Sequence, residues 1–301
     1  MNAEEPIDPT AATKADVSRR GFVALGAGAA LTIGNAGPAA AQTDGFGKPH
    51  PPIVAEDDPA IVVARPPLTP SAGSPIWGYA ASPRTATRTT PGVVVVQAIW
   101  GIDAQLRDVV RRYAKAGYRA IAPSLFARLN PPNGDDATDY APFSAVATQM
   151  YAQGFELTDI LSGHGWLRAQ NPNAAVGITG FCMGGSMVLQ SLIGTKAFAA
   201  ASMFYGSVRP GTDRNAPTTA STFDFTNRIS TSLLGSFGGR DTSIKPADVA
   251  AMFARLAPPH AYKIYDEAGH GFFDDTRESY APSAAADAWS RTLAWFHKYL
   301  T

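Results

Sequence analysis

The chain has 301 residues, of which 45% are hydrophobic and 17% charged. That is enough apolar material for a large core and excludes a mostly disordered chain. Lys plus Arg and Asp plus Glu number 25 each, so there is no basic surplus to grip nucleic acid and no acidic tail. A single cysteine, Cys182, excludes an internal disulfide and a cysteine-rich zinc site, and no metal or cofactor is expected.

The N-terminal segment reads as an address. Ser18-Arg19-Arg20-Gly21-Phe22-Val23 precedes a weakly apolar run of Ala and Gly at 21–34, and Pro38-Ala39-Ala40-Ala41 supplies small residues for cleavage near Ala41. Paired arginines, a short apolar stretch and an A-x-A site in that order resemble a twin-arginine signal peptide over 1–41. The run is too short and glycine-rich for a membrane span. The expected partner is the twin-arginine export machinery, and the expected destination is the periplasm or the exterior. Residues 42–60, with His50-Pro51-Pro52 and Asp57-Asp58-Pro59, predict an extended leader arm.

From 61 to 301 strands and helices alternate without an internal linker, which predicts one domain. Gly92 to Val96 is a β-branched run suited to a strand buried on both faces. Leu106, Val109, Val110, Tyr113 and Ala114 place one apolar stripe on a helix that ends at Gly117. Strands are predicted at 118–122, 174–179, 198–205, 230–237 and 261–265. Helices are predicted as one long segment over 145–169, then through Val188 to Ile193, over 246–256, and on the closing segment with Trp289, Leu293, Phe296 and Leu300. Such alternation implies an α/β fold with a mostly parallel central sheet and helices on both faces. Residues 129–144 break the rhythm with three prolines, Gly134, Asp135 and Asp136. They read either as a pocket wall or as a solvated loop.

Three segments carry chemistry. Gly180-Phe181-Cys182-Met183-Gly184-Gly185 lies between a predicted strand and a predicted helix. That is the context of a nucleophile elbow, here with Cys in place of Ser. Glycines flank such a nucleophile because the turn is strained and backbones approach closely. The helix start adds N–H groups and a positive dipole end. Gly238-Gly239-Arg240-Asp241 and Ala268-Gly269-His270-Gly271-Phe272 each follow a predicted strand. Of five histidines, only His270 occupies a glycine-flanked loop after a late strand. Asp241 is the leading acid, with Asp266 and Asp274 as alternatives. Nucleophile, acid, histidine is the chain order of α/β-hydrolases.

Over roughly 75–300 the chain resembles the dienelactone hydrolases, a branch of the α/β-hydrolases with a Cys-His-Asp triad. Residues 180–185 are similar to the family's Gly-x-Cys-x-Gly-Gly, and Gly239-Arg240-Asp241 to its acid turn. Glu267 to Phe272 is similar to its histidine loop, and Leu125-Phe126-Ala127-Arg128 to its Leu-Tyr-Ala-Arg. The resemblance implies an α/β-hydrolase fold and hydrolysis of a small-molecule ester or lactone, with Cys182 as nucleophile, His270 as base and Asp241 as orienting acid. Backbone N–H groups of Ile99 and Met183 would form the oxyanion hole. Trp100, Phe126, Arg128, Tyr205, Phe272 and Phe273 would line the substrate pocket. Two departures stand out. Ala98 replaces the glutamate of the family's Gln-Glu-Ile-Phe-Gly, so its control of the resting thiol is missing or passes to another carboxylate, with Asp135 and Asp136 as candidates. Asp274 stands where catechol-pathway members have a carboxylate-binding arginine, and residues 129–167 contain no Lys or Arg, which implies a substrate other than dienelactone. A secreted cysteine-dependent esterase or peptidase of the same fold, and a non-catalytic binding protein on this scaffold, remain alternatives.

Overall fold

The computed structural model describes residues 52–135, 137–208, 226–257 and 259–301. The predicted signal segment, with Arg19 and Arg20, most of the leader, and Asp136 lie outside the described residues.

The chain first lays down an antiparallel edge. β1 (Ile61–Ala64) and the two-residue β2 (Pro67–Leu68) both pair antiparallel with β3 (Ile76–Pro83), which pairs antiparallel with β5 (Arg119–Pro123). From there the sheet is parallel. β5 pairs with β4 (Gly92–Val96), β4 with β6 (Val176–Phe181), then come β7 (Ala200–Phe204), β8 (Ser232–Gly238) and β9 (His260–Tyr265). The spatial order is β1-β3-β5-β4-β6-β7-β8-β9. Every residue of β4 and β6 is buried, as both-face coverage of a parallel sheet requires. The antiparallel edge was not predicted. Its residues lack a period-2 pattern because most of β3 is buried on both faces.

Helices cover both faces. α1 (Ala104–Lys115) and α6 (Pro282–Leu300) share one face, where Tyr113 meets Trp289 and Phe296 at ring-centroid distances of 4.6 and 6.0 Å. α3 (Glu156–Gln170) and α4 (Met183–Gly194) pack together on the other face. α5 (Pro246–Phe253) packs on β9. The predicted long helix over 145–169 is two helices, α2 (Ala141–Gln153) and α3. Gly154 takes φ of 66° and donates its N–H to the Met150 carbonyl, which ends α2 in a left-handed cap. The apolar pattern runs on across this glycine, which hides the break from periodicity. The described end of the leader is pinned to α1. Ile53 and Val54 donate their N–H groups to the Asp108 carboxylate at 2.8 and 2.9 Å, and Arg111 Nε donates to the Val54 carbonyl at 2.6 Å.

Asp103 caps α1 by accepting the Leu106 N–H at 2.9 Å. Burial, followed by the charge of Asp274, pushes its pKa up to about 7. The folded state therefore holds this proton more tightly than the unfolded chain, whose aspartates titrate near about 3.9. The stabilisation is full below that value and is lost as pH rises toward 7. Asp103→Asn keeps the capping oxygen and removes the titration. In denaturant unfolding between pH 5 and pH 7, wild type should lose about 2 kcal/mol more stability than Asp103→Asn. Parallel pH slopes would refute the assignment.

Candidate active site

Cys182 occupies the turn between β6 and α4 with φ of 54° and ψ of −116°. That is a left-handed conformation that non-glycine residues avoid, and it projects the thiol from a sharp bend. The bend is fastened on both sides. Cys182 N–H donates to the Phe204 carbonyl at the end of β7 at 3.1 Å, and the Cys182 carbonyl accepts the Ser186 N–H at 3.1 Å. It also brings backbone against backbone. A Cβ on Gly184 would lie 2.4 Å from the Val96 carbonyl oxygen at the end of β4, and one on Gly180 would lie 2.4 Å from the Gly184 oxygen. Any side chain at either position would force β6, α4 and β4 apart.

Asp241 and His270 follow the ends of β8 and β9, which pair in parallel. The two loops are tied by Gly239 N–H to the Tyr265 carbonyl at 2.8 Å and Arg240 N–H to the Ala268 carbonyl at 2.9 Å. His270 Nε2 lies 3.1 Å from Cys182 Sγ, and His270 Nδ1 lies 2.7 Å from Asp241 Oδ2. The other Asp241 oxygen accepts the N–H groups of Ser243 and Ile244 at 2.8 and 3.1 Å. Asp241 is thus buried and held, while the His270 side chain is 38% exposed. Burial opposes charge on His270, but the charge of Cys182 and the hydrogen bonds to Asp241 and Cys182 together hold its pKa well above the usual value. The alternative acids are placed elsewhere. Asp266 is exposed, and Asp274 accepts from Arg277 Nε at 3.0 Å and from Thr276.

The predicted neighbours fall into two groups. Ile99 and Met183 sit just past the ends of the paired strands β4 and β6, and Trp100 follows Ile99. Tyr205, at the end of β7, brings its ring within 5.2 Å of the His270 ring and takes φ of 36°. Cys182 and Tyr205 are the described non-glycine residues with positive φ, and strain of this kind concentrates at functional sites. Phe126, Phe272 and Phe273, like Tyr205, are almost wholly buried. Phe273 stacks on Phe181 at 5.2 Å, and Phe272 packs on Tyr205 and Tyr265, so these rings back the loops. Arg128 makes two hydrogen bonds to Asp159, at 2.7 and 2.8 Å, and donates to the Ser74 carbonyl. A cavity of about 340 Å³ between Leu68 and Trp166 contains none of these residues.

Sequence reasoning missed Arg277, seven residues beyond His270. Its guanidinium lies 3.8 Å from the Trp100 ring centroid, pairs with Asp274, and donates to the Gly134 and Ala137 carbonyls at 3.2 and 2.6 Å. It fastens the segment after Pro131 to Trp100 and to the histidine loop. A Cβ on Gly134 would lie 2.1 Å from the Trp100 carbonyl oxygen. Gly134 and Ala137 are thus fastened to the site, while Asn130 to Asn133 and Thr138 to Asp139 are exposed. Asp135, one of the expected substitutes for the family glutamate, pairs with Arg107 at 2.9 Å.

Residues 76–300 match the sequence pattern of the dienelactone hydrolase family. A candidate carboxymethylenebutenolidase of Escherichia coli is 32% identical over 272 residues, covering 87% of this chain and 97% of the relative. One from Synechocystis sp. is 36% identical over 243 residues, covering 77% and 95%. The crystal structure of a candidate dienelactone hydrolase from Klebsiella pneumoniae superimposes with a TM-score of 0.70 at 30% identity, covering 80% of this chain and all of that one.

The elbow's packing has a measurable consequence. Gly184→Ala should destabilise the protein by about 2 kcal/mol or more, because the methyl group meets carbonyl oxygens that cannot yield. Gly165→Ala on the exposed side of α3, where a Cβ meets nothing within 4 Å, should be stabilising by about 0.5–1 kcal/mol. Equal midpoints of chemical unfolding for the two variants would contradict this packing.

Proposed function

The chain belongs to the dienelactone hydrolase family, and we propose that it hydrolyses an ester or lactone through Cys182, His270 and Asp241 and a thioester acyl-enzyme. The observation that carries this reading is the unbroken chain from Cys182 Sγ to His270 Nε2 at 3.1 Å and from His270 Nδ1 to Asp241 at 2.7 Å. His270 accepts the thiol proton, and Asp241 orients the imidazole and offsets its charge. The sulfur attacks the carbonyl carbon, a C–S bond forms, and the carbonyl π electrons move to oxygen. Backbone N–H groups of Ile99 and Met183 receive that oxyanion; such donors are worth about 3 kcal/mol each. Collapse breaks the C–O bond, and the leaving alkoxide takes the proton from His270. A water molecule, deprotonated by His270, then attacks the thioester and releases the acid, and the proton returns to sulfur.

The charges around the site favour an uncharged substrate over dienelactone. Arg128 is engaged by Asp159, and Arg277 by Asp274 and two backbone carbonyls. Neither guanidinium is left to receive a substrate carboxylate. Cys182→Ala should fold with an unchanged unfolding midpoint and lose at least about a thousandfold in kcat/KM on p-nitrophenyl esters and lactones. Turnover near the wild-type level by the folded variant would remove Cys182 from the mechanism. A peptidase of the same fold would cleave peptide substrates, added to the same screen, ahead of the esters.

The proposal includes export. Arg19-Arg20 with the apolar run and Ala39-Ala40-Ala41 supports a twin-arginine signal and a periplasmic or secreted enzyme. Arg19→Lys combined with Arg20→Lys should leave an uncleaved precursor in the cytoplasm on cell fractionation. Normal accumulation of mature protein outside the cytoplasm would mean that another route carries it.

A further inference from the structure

The candidate site has two halves that come from separate stretches of chain. One is the Asp241 turn with the histidine loop; the other is the elbow with the turn that follows β4. In that turn Gly101 N–H donates to the Ala98 carbonyl at 3.3 Å, and Gly101 takes φ of 78°. Ala98 to Gly101 therefore form a four-residue turn with Ile99 and Trp100 at its centre. The internal bond of such a turn uses neither central N–H, which leaves the Ile99 N–H to a ligand. The tilt of the turn then depends on what holds its central side chains.

The Trp100 indole is held by two other segments. Tyr140 and Phe143, at the start of α2, lie with ring centroids 6.0 and 5.0 Å from it in edge contacts. The Arg277 guanidinium lies 3.8 Å from its centroid, a distance at which the cation and the aromatic face attract. The donors of the guanidinium are engaged as well. Nε donates to Asp274 at 3.0 Å, one terminal nitrogen to the Ala137 carbonyl at 2.6 Å and the other to the Gly134 carbonyl at 3.2 Å, with the Asp103 carboxylate at 3.6 Å. Arg277 is in turn fixed relative to His270. Asp274 N–H donates to the Gly271 carbonyl at 2.9 Å, Arg277 N–H to the Asp274 carbonyl at 3.2 Å, and Ala281 N–H to the Phe272 carbonyl at 2.9 Å. These bonds close the loop on itself. Arg277 thus reaches from the half that carries the imidazole to the turn that carries the Ile99 N–H.

We propose that Arg277 is a positioning residue for acyl transfer: by clamping the Trp100 indole it sets the tilt of the 98–101 turn and aims the Ile99 N–H at the oxyanion. This deepens the hydrolase reading and rests on it for the role of Ile99. An oxyanion donor acts at hydrogen-bond distance from an oxygen that is charged only in the transition state and the intermediate. A small tilt of the turn therefore lowers the rate and leaves ground-state binding alone. A lysine cannot replace the arginine, since it has no planar face for the indole and no fork to span a carboxylate and two carbonyls.

The test compares Arg277→Lys and Arg277→Gln with wild type in the full-length mature protein. On p-nitrophenyl butyrate, kcat should fall about tenfold or more in both variants, with KM within about twofold of wild type. Affinity for an alkyl trifluoromethyl ketone should fall by the same factor as kcat/KM. In that adduct Cys182 Sγ bonds to the carbonyl carbon, the carbonyl electrons move to oxygen and the thiol proton moves to His270, so it carries the oxyanion. Alkylation by iodoacetamide forms a C–S bond and expels iodide with no oxyanion, and its rate against pH should superimpose on wild type. A role limited to bracing the histidine loop predicts a shifted alkylation profile. A role limited to stability predicts a lower unfolding midpoint with the kcat of the folded protein unchanged. Either result overturns the proposal. Trp100→Leu reads the same link from its other end and does not depend on the folding of the Arg277 variants. It should lower kcat to a similar extent, and Arg277→Gln added to it should lower kcat little further; fully additive losses overturn the proposal. Ester turnover by wild type that both Arg277 variants retain rejects the role of Arg277 and keeps the hydrolase, whereas no turnover of esters or lactones by wild type rejects both.

Discussion

Backbone contact between the start of α4 and the end of β4 is the constraint on which the site depends. Gly184 lies where a Cβ would stand 2.4 Å from the Val96 oxygen and 2.5 Å from the Gln97 oxygen. This contact lets the β6–α4 turn close tightly enough for Cys182 to take its left-handed conformation. It also brings the start of α4 beside the residues that follow β4, so the N–H groups of Met183 and Ile99 belong to two adjoining segments. The parallel register of β4 with β6 holds those segments level. A thiol and a pair of N–H groups placed by main-chain packing are held more rigidly than groups placed by side-chain rotamers.

The other half of the site is supported differently. The histidine loop is braced by ion pairs that reach elements distant in sequence. Asp275 pairs with Arg112 of α1, and Arg277 joins Asp274 to Trp100 and to the wall at Gly134 and Ala137. Arg112 also pairs with Asp108, the carboxylate that receives the leader at Ile53 and Val54. The described end of the leader, α1 and the histidine loop are therefore connected through polar contacts. Buried pairs of this sort give little net stability against apolar substitutes, but removing one partner leaves a charge stranded. Their contribution is to hold the His270 loop in one arrangement.

Legibility in the sequence followed the range of the forces involved. The parallel strands were readable because burial on both faces leaves a continuous β-branched or small-residue run, as in Val93 to Val96. Cys182, Asp241 and His270 were readable because each sits just past a strand end with glycines beside it, a local signature of close backbone approach. The antiparallel edge was not read, since β1 offers a β-branched run of only three residues, Ile61 to Val63, β2 has two residues, and β3 carries neither the run nor the alternation. Gly154 was passed over because an apolar pattern on both sides of a left-handed cap looks like one helix. Arg277 and Glu156 have no local signature at all. Their partners, or lack of partners, are set by segments tens of residues away, and only the folded chain shows whether an arginine is stacked or a glutamate is orphaned.

Two buried carboxyls begin helices on opposite faces of the sheet and differ in their compensation. Asp103 and Glu156 are both desolvated, and both are raised to about 7. Asp103 has compensation: a Leu106 N–H at 2.9 Å and the Arg277 guanidinium at 3.6 Å. Its burial is explained by the helix it starts and the bracket it adjoins. Glu156 begins a helix too, yet apart from its own backbone amide its carboxylate has no hydrogen-bond donor among the described residues. The helix does not need an acid there, because a carboxylate that neither caps nor pairs contributes only the weak attraction of the helix dipole. Desolvation of an unpaired carboxyl outweighs that attraction several-fold.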